Sequence, residues 1–167
     1  MVEVFPCSPV VPEPVVLNLR KPSAMPTNTV ALLDEAQCQQ LEAFLVERIY
    51  EFNVEATGYS DARLLGVSLR DDAGEIIAGC SGHTWGGCCQ ISSLWVSESR
   101  RGQGLGRRLL DTAESEAIRR GCRQVVLLSH SFQAPAFYEQ LGFAHAGGVT
   151  GYPRGEAFLL MVKPLAD

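Results

Sequence analysis

Residues 101–106 read Arg-Gly-Gln-Gly-Leu-Gly and join two different sequence patterns. The apolar run Ile91–Val96, which is typical of a strand, precedes them, and the amphipathic stretch Leu105–Arg120, which is typical of a helix, follows. A helix that begins after a glycine-rich turn presents backbone N–H groups with no partner inside the helix, and its dipole adds partial positive charge at the same point. The sequence therefore predicts an anion site, suited to phosphate, between a strand and a helix.

The glycine spacing separates three kinds of phosphate loop. A Walker loop needs a lysine after its last glycine, and no lysine lies near this turn. A dinucleotide fingerprint needs Gly-x-Gly-x-x-Gly and an acidic residue that closes the next strand, but this spacing differs and the strand Gln124–Ser129 ends without an acid. The third pattern, Gln/Arg-x-x-Gly-x-Gly/Ala of acyl-CoA pyrophosphate loops, fits Arg101, Gly104 and Gly106 at every position.

A second motif further along the chain gives the loop a context. Residues 134–143 read Ala-Pro-Ala-Phe-Tyr-Glu-Gln-Leu-Gly-Phe, and Leu94-Trp95-Val96 is an apolar segment just before the loop. In this order the motifs resemble those of the GNAT superfamily of N-acetyltransferases, over roughly residues 30 to 163. Ser-Phe-Gln-Ala-Pro at 131–135 and Tyr-Pro-Arg-Gly at 152–155 also resemble a bacterial branch that includes streptothricin-type acetyltransferases.

The resemblance implies an α/β (α+β) fold with a mixed, mostly antiparallel central sheet, flanked by helices, in which two strands splay apart at the CoA site. Local patterns predict the elements independently. They are a helix from the Asp34 cap, with its capping-box partner Gln37, to about Glu55; strands Ala62–Arg70, Glu75–Trp85 and Cys88–Val96; a helix Leu105–Arg120 that ends at Gly121; a strand Gln124–Ser129; a helix Pro135–Gly142; and strands Phe143–Val149 and Glu156–Lys163.

Proline content divides the chain. Residues 1–28 hold six of the nine prolines, which predicts an extended Pro-rich N-terminal arm with at most one strand, Pro14–Leu19. Residues 29–167 are predicted to form a single acyl-CoA N-acyltransferase domain. Sequence alone leaves the role of the arm open.

The resemblance also implies the site. Tyr138 matches the position that assists departure of the CoA thiolate. The residues implied to bind the cofactor, acetyl-CoA, are Leu94, Trp95, Val96, Arg101, Gly102, Gln103, Gly104, Leu105, Gly106, Arg107, Ser129 and Gln133. The base that deprotonates the acceptor stays open among Glu51, Glu55, Asp61 and His83, and His130 is placed beside the CoA groove.

The implied reaction is direct transfer of an acetyl group from acetyl-CoA to a primary amine of a small molecule or peptide in a ternary complex, without a metal. One alternative is a GNAT-like acyl-CoA-binding module with a regulatory role and no turnover. Another is a covalent mechanism through Cys88 or Cys89 with His83, in which the glycine-rich loop has no role. The acceptor and the length of the acyl chain stay open.

Composition limits the partners. A net charge of −5 argues against nucleic acid, yet seven of the fourteen basic residues lie between positions 100 and 123. Arg107, Arg108, Arg119 and Arg120 either bind the anion or solvate a helix face. No apolar run reaches the ~20 residues that span a bilayer, and no leader pattern is seen, so we expect a cytoplasmic protein with its six cysteines reduced. The resemblance alone implies that the protein forms a homodimer.

Overall fold

The structure, a computed structural model, describes residues 30–165. Contacts divide these residues into two units, 30–58 and 59–165. The predicted Pro-rich arm and its strand Pro14–Leu19 lie outside the described residues. The single domain over residues 29–167 stays a prediction.

The first unit contains one long helix, α1, which spans Glu35–Thr57. Its N-terminus is the predicted capping box: the Gln37 N–H donates to Asp34 Oδ1 at 2.8 Å, and the Asp34 N–H donates to Gln37 Oε1 at 3.0 Å. Gly58, with a φ of 76°, caps the C-terminus slightly beyond the predicted end at Glu55.

The second unit is built on a six-stranded sheet in the order β1-β2-β3-β4-β6-β5. β3 and β4 run parallel, and the other neighbouring pairs are antiparallel. The mixed, mostly antiparallel sheet that the sequence implied is therefore confirmed. The strands are β1 (Arg63–Arg70), β2 (Ile76–Trp85), β3 (Cys88–Val96), β4 (Gln124–His130), β5 (Ala144–Thr150) and β6 (Ala157–Pro164).

Two helices pack on one face of this sheet. Helix α2 (Leu105–Arg119) carries β3 across to the parallel strand β4, and it buries a stripe with helical spacing: Leu105, Leu109, Leu110, Ala113 and Ala117. Helix α3 (Pro135–Gln140) begins with its proline in the first turn, where the missing N–H costs no hydrogen bond. Both predicted helices are confirmed. A 3₁₀ turn at Glu98–Arg100 gave no recognisable sequence signal.

The core lies between these helices and the sheet. On β4 the residues Val125, Leu127 and Ser129 are buried and alternate with partly exposed ones, as the two-residue period of a strand requires. Burial of these apolar side chains is the main force that fixes the sheet against α2 and α3. The core also contains Leu65, Ala78, Cys80, Cys89, Ile91, Leu94, Cys122, Tyr138, Leu141, Phe143 and Met161.

The parallel strands β3 and β4 separate along their length. Their pairing runs from Cys88 opposite Gln124 to Ile91 opposite Leu127 and ends there, although both strands continue. At the same point β3 has a bulge, because Ser81 pairs with Ser93 while Gly82 pairs with Ile91. The result is a fork between the carboxyl halves of β3 and β4, which confirms the splayed strand pair.

Gly82 permits this bulge, and we expect Gly82→Ala to destabilise the protein. A Cβ at this position would collide with the carbonyl oxygen of Gln90, which is backbone and cannot rotate away. We expect a loss of about 3 kcal/mol, or roughly 10 °C in Tm. Gly79→Ala is the matched control on the same strand, since its Cβ would lie 3.6 Å from the nearest atom, Val67 O. Thermal unfolding followed by circular dichroism measures both, and equal melting temperatures for the two variants would contradict the role of Gly82.

Candidate functional site

The glycine-rich loop leads from the end of β3 into α2. Gly104 is the N-cap of α2, with a φ of 73°, in the left-handed region that a residue with a Cβ rarely adopts. The Arg108 N–H makes the first helical bond, to the Gly104 carbonyl at 3.1 Å. The N–H groups of Leu105, Gly106 and Arg107 therefore have no acceptor within the helix and are available to an anion.

A cavity of about 340 Å³ lies between this loop, the end of β3 and helix α3. One side of it is basic and glycine-rich, and the other side is apolar. The lining residues are Leu94, Val96, Arg100, Arg101, Gly102, Gly104, Leu105, Gly106, Arg107, Ala134, Phe137, Gln140 and Leu141. This combination suits a ligand that carries phosphate at one end and an apolar arm at the other.

Three arginines line this cavity: Arg100, Arg101 and Arg107. Arg101 is held by its Nε, which donates to the Val96 carbonyl oxygen at 3.3 Å. Arginine suits phosphate because its planar guanidinium offers several donors and stays charged. With the free N–H groups of α2, these side chains form a positively charged end of the cavity.

The other arginines of α2 have different partners. Arg119 pairs with Glu116 at the surface, at 2.6 Å. Arg120, only 12% exposed at its side chain, also pairs with Glu116 and donates to the Leu64 carbonyl and to Thr84 Oγ1. Arg120 therefore ties α2 to β1 and β2, and of the four helix arginines considered from the sequence Arg107 lines the cavity.

Gly106 acts through helix packing. A Cβ at this position would lie 3.0 Å from Phe137 Cζ on α3. The absence of a side chain therefore lets α2 and α3 approach each other beside the cavity. Phe137 packs against the core and also lines the cavity.

Tyr138 lies in the core next to Phe137 and is 3% exposed. Its ring meets those of Phe137 and Phe143 edge to face, at centroid distances of 5.2 and 5.8 Å. Burial raises the pKa of Tyr138 to about 12, with a smaller contribution from the nearby Cys80. Tyr138 shares this core with Leu94, which lies on the part of β3 that no longer pairs with β4.

Some of the predicted binding residues do not line the cavity. Ser129 Oγ and the His130 N–H both donate to Gln133 Oε1, at 3.4 and 2.8 Å. These polar groups therefore bond to one another at the C-terminal end of β4. The Gln103 side chain donates to the Ser99 carbonyl at 3.4 Å. Trp95 is 39% exposed on β3 beside the cavity. Tyr138 also lies outside the lining.

The proposed bases differ in their positions. Asp61 Oδ1 accepts from the Gly86 N–H at the turn between β2 and β3, at the end of the sheet away from the loop. His83 on β2 pairs with Gln90, where β3 and β4 are still hydrogen-bonded, and burial lowers its pKa. Glu51 and Glu55 belong to α1, in the first unit.

The thiols that the covalent alternative requires are poor nucleophiles here. Burial raises the pKa of Cys88 and raises that of Cys89 to about 12. A thiol reacts as its thiolate, so burial of this kind suppresses the chemistry. Among the described residues, no group of three or more His, Cys, Asp or Glu side chains could hold a metal ion.

Comparison with known proteins shows the family. The profile of the Acetyltransferase (GNAT) family matches residues 29–143. The chain belongs to the GNAT acetyltransferase family. It is 30% identical over 132 residues to the acetyltransferase Atu2258 of Agrobacterium fabrum, covering 79% of this chain and 96% of that protein.

Two further relatives of this GNAT protein are named for their substrates. The blasticidin-S acetyltransferase of Streptomyces morookaense is 37% identical over 95 residues, covering 56% of this chain and 70% of that protein. The crystal structure of nourseothricin acetyltransferase superposes with a TM-score of 0.55 at 26% identity, covering 64% of this chain and 67% of that one. The family resemblance read from the sequence is thus confirmed, with its distant relation to antibiotic acetyltransferases.

Membership fixes the fold and the class of reaction. The protein has the GNAT fold and is an acetyl-CoA-dependent acetyltransferase. No helix among residues 30–165 combines the length and the apolar character needed to cross a bilayer. The cavity has five lining residues that the sequence did not predict: Arg100, Ala134, Phe137, Gln140 and Leu141. Only Arg100 had a signal, because it adjoins the loop; the others reach the cavity through the packing of α3.

Proposed function

We propose that this GNAT protein transfers the acetyl group of acetyl-CoA directly to a primary amine of a small molecule or peptide, in a ternary complex. The observation that carries the proposal is the cavity whose basic end, formed by Arg100, Arg101 and Arg107, adjoins the fork between β3 and β4. A pyrophosphate held at the start of α2 would direct the attached arm along the cavity toward the fork.

The exposed edge of β3 supports this mode of binding. Beyond Ile91 the strand no longer pairs with β4, while its other edge stays paired with β2 as far as Val96. The main chain of β3 from Leu94 to Val96 therefore keeps N–H and C=O groups for the amides of the pantetheine arm, although the Val96 carbonyl also accepts from Arg101 Nε. An N–H near Val96 would also stabilise the oxyanion that forms as the amine attacks the thioester.

Tyr138 would assist the departure of the thiolate. Its ring is fixed by Phe137 and Phe143, and its hydroxyl keeps its proton because burial raises the pKa of Tyr138 to about 12. A protonated hydroxyl near the sulfur can donate a hydrogen bond as negative charge develops there. The role assigned to Tyr138 is therefore hydrogen-bond donation.

The acceptor class follows from charge and from the relatives. A net charge of −5 favours a cationic amine, and similarity to the blasticidin-S and nourseothricin acetyltransferases supports a small molecule. We place the reaction in the cytoplasm, since the five cysteines of the described residues are free thiols, as a reducing compartment maintains them.

Thermal unfolding with ligands tests the nucleotide site. We expect acetyl-CoA and CoA at a hundredfold excess over Kd to stabilise the protein by about 2.7 kcal/mol, roughly 5–10 °C in Tm, because only the native state binds them. NAD⁺, which also contains a pyrophosphate, is the control and should leave Tm unchanged. Equal shifts with NAD⁺ would show a general phosphate site, and no shift with any of the three would overturn the proposal.

Turnover separates the enzyme from a binding module. A panel of primary amines with acetyl-CoA should release free CoA, which a thiol reagent detects. Tight binding of CoA without release on any amine would favour the regulatory module instead.

A further inference from the structure

His130 is the last residue of β4, at the open end of the fork. Three residues beyond the last pair, Ile91 and Leu127, β4 reaches His130. Because β3 carries the extra bulge residue Ser92, the matching position on β3 is Trp95. Because neighbouring side chains on a strand point to opposite faces, His130 lies on the face opposite the buried Ser129. It therefore flanks the fork at the level where the acetyl group would lie.

The surroundings of His130 fix its orientation and its tautomer. Its Nδ1 lies 3.1 Å from the Tyr152 carbonyl oxygen. A carbonyl oxygen only accepts, so in the neutral ring Nδ1 carries the hydrogen and Nε2 keeps its lone pair. No described residue hydrogen-bonds Nε2.

Three aromatic rings surround the imidazole. Phe132 stacks on it with an interplanar angle of 11° at a centroid distance of 5.1 Å, Phe158 lies at 4.5 Å, and Tyr152 meets it edge to face at 5.3 Å. Packing of this kind holds a ring in one rotamer and limits the access of water. The structure thus presents one basic nitrogen in a fixed direction.

Tyr138 lies on the other face of the sheet. It belongs to the core that α2 and α3 cover, together with Leu94 from the unpaired part of β3. A proton acceptor on one face and a hydrogen-bond donor on the other is the arrangement that acyl transfer between a nucleophile and a leaving group needs.

We propose that His130 is the general base of the transfer, a proposal that rests on the proposed function. Nε2 takes a proton from the acceptor ammonium, and the freed lone pair forms the C–N bond at the thioester carbonyl. The C–S bond then breaks, its electron pair goes to sulfur, and the second proton lost by nitrogen ends on the CoA thiol. The proton on His130 leaves to water after the products dissociate.

The other candidates fit the task less well. His83 lies where β3 and β4 are still paired, and its Nδ1 is buried without a hydrogen-bond partner. Asp61 lies at the opposite end of the sheet. Two titratable residues of the turn 151–156 lie beside His130: Tyr152 contacts the imidazole, and Glu156 accepts from the adjacent Ser131 Oγ at 2.5 Å. β6 contributes Phe158, which does not titrate.

The test compares His130→Gln with the wild type and with two matched variants, His145→Gln on the edge strand β5 and His83→Gln on β2. The substrates are acetyl-CoA and the amine of the panel that wild-type enzyme acetylates fastest. For His130→Gln we expect kcat/KM at pH 7 to fall about 10²-fold. Its rate should keep rising toward the pKa of a free alkylamine, ~10.4, while the wild-type rate levels off at lower pH. His145→Gln should match the wild type.

A second readout is independent of turnover. The chain has three histidines, so the three Gln variants assign the side-chain ¹H–¹⁵N correlations of each. We expect neutral His130 to carry its hydrogen on Nδ1; a hydrogen on Nε2 would overturn the proposal. The proposal would also be overturned if the rate of His130→Gln levelled off with pH as the wild-type rate does. The same holds if His83→Gln, and not His130→Gln, lost this levelling. If wild-type enzyme acetylates no amine at all, the proposed function fails, and the base assignment fails with it.

Discussion

Gly104→Val is expected to raise the Kd for acetyl-CoA about 10²-fold, which corresponds to about 2.8 kcal/mol. Gly104 caps α2 with a φ of 73°, and a β-branched residue cannot hold this conformation without strain. The loop would then adopt another conformation, and the N–H groups of Leu105, Gly106 and Arg107 would no longer converge on the pyrophosphate. Each hydrogen bond to a charged group that is lost costs about 1.5–3 kcal/mol. Isothermal titration calorimetry measures the change.

Gly74→Val is the matched control for this substitution. Gly74 lies in the turn between β1 and β2 with a φ of 85°, and, like Gly104, it has no atom within 4 Å of the position its Cβ would take. Both variants should therefore lose similar stability, about 1–2 kcal/mol, but only Gly104→Val should lose affinity. Gly106→Val would be a poorer test, because its side chain would meet Phe137 before any ligand. Wild-type affinity in a folded Gly104→Val protein would contradict the loop assignment.

The elements of the fold could be predicted because their signals are local. Hydrophobic period, the capping pair Asp34 and Gln37, and the proline at position 135 each act within a few residues, and the structure confirms the helices and strands within a residue or two. Strand order has no such signal. β6 lies between β4 and β5, and only long-range packing determines this.

The residues of the site likewise divide into those with a local sequence signal and those that only long-range packing brings together. Arg101 to Arg107 could be assigned from one short motif, and most of these residues line the cavity. Ser129 and Gln133 were assigned through the resemblance, and in the structure Ser129 Oγ donates to Gln133 Oε1. The aromatic surroundings of His130 combine β4, β6 and the turn between β5 and β6, so no pattern in the sequence connects them.

Substitution of Tyr138 should show an effect on catalysis that is separate from any effect on acetyl-CoA binding. Tyr138→Phe is expected to lower kcat about 10²-fold while the Kd for acetyl-CoA changes less than about threefold, because the hydroxyl matters most when charge develops on sulfur. The ring itself, which packs between Phe137 and Phe143, is kept. Tyr59→Phe, which removes a hydroxyl at the turn between β2 and β3, at the end of the sheet away from the loop, is the control and should leave both constants unchanged.

The pKa of Tyr138 decides how this loss should depend on pH. A tyrosine with a pKa of about 12 that gave its proton to a thiolate of pKa ~8.5 would do so uphill by about 3.5 units, or roughly 5 kcal/mol. Hydrogen-bond donation needs no such transfer, and the hydroxyl stays protonated at every pH below about 12. The ratio of wild-type to Tyr138→Phe kcat should therefore be constant between about pH 6 and 9.5. A ratio that falls as pH rises through this range would mean that Tyr138 loses its proton there and acts as a true acid, and equal losses in kcat and in affinity would assign the hydroxyl to binding.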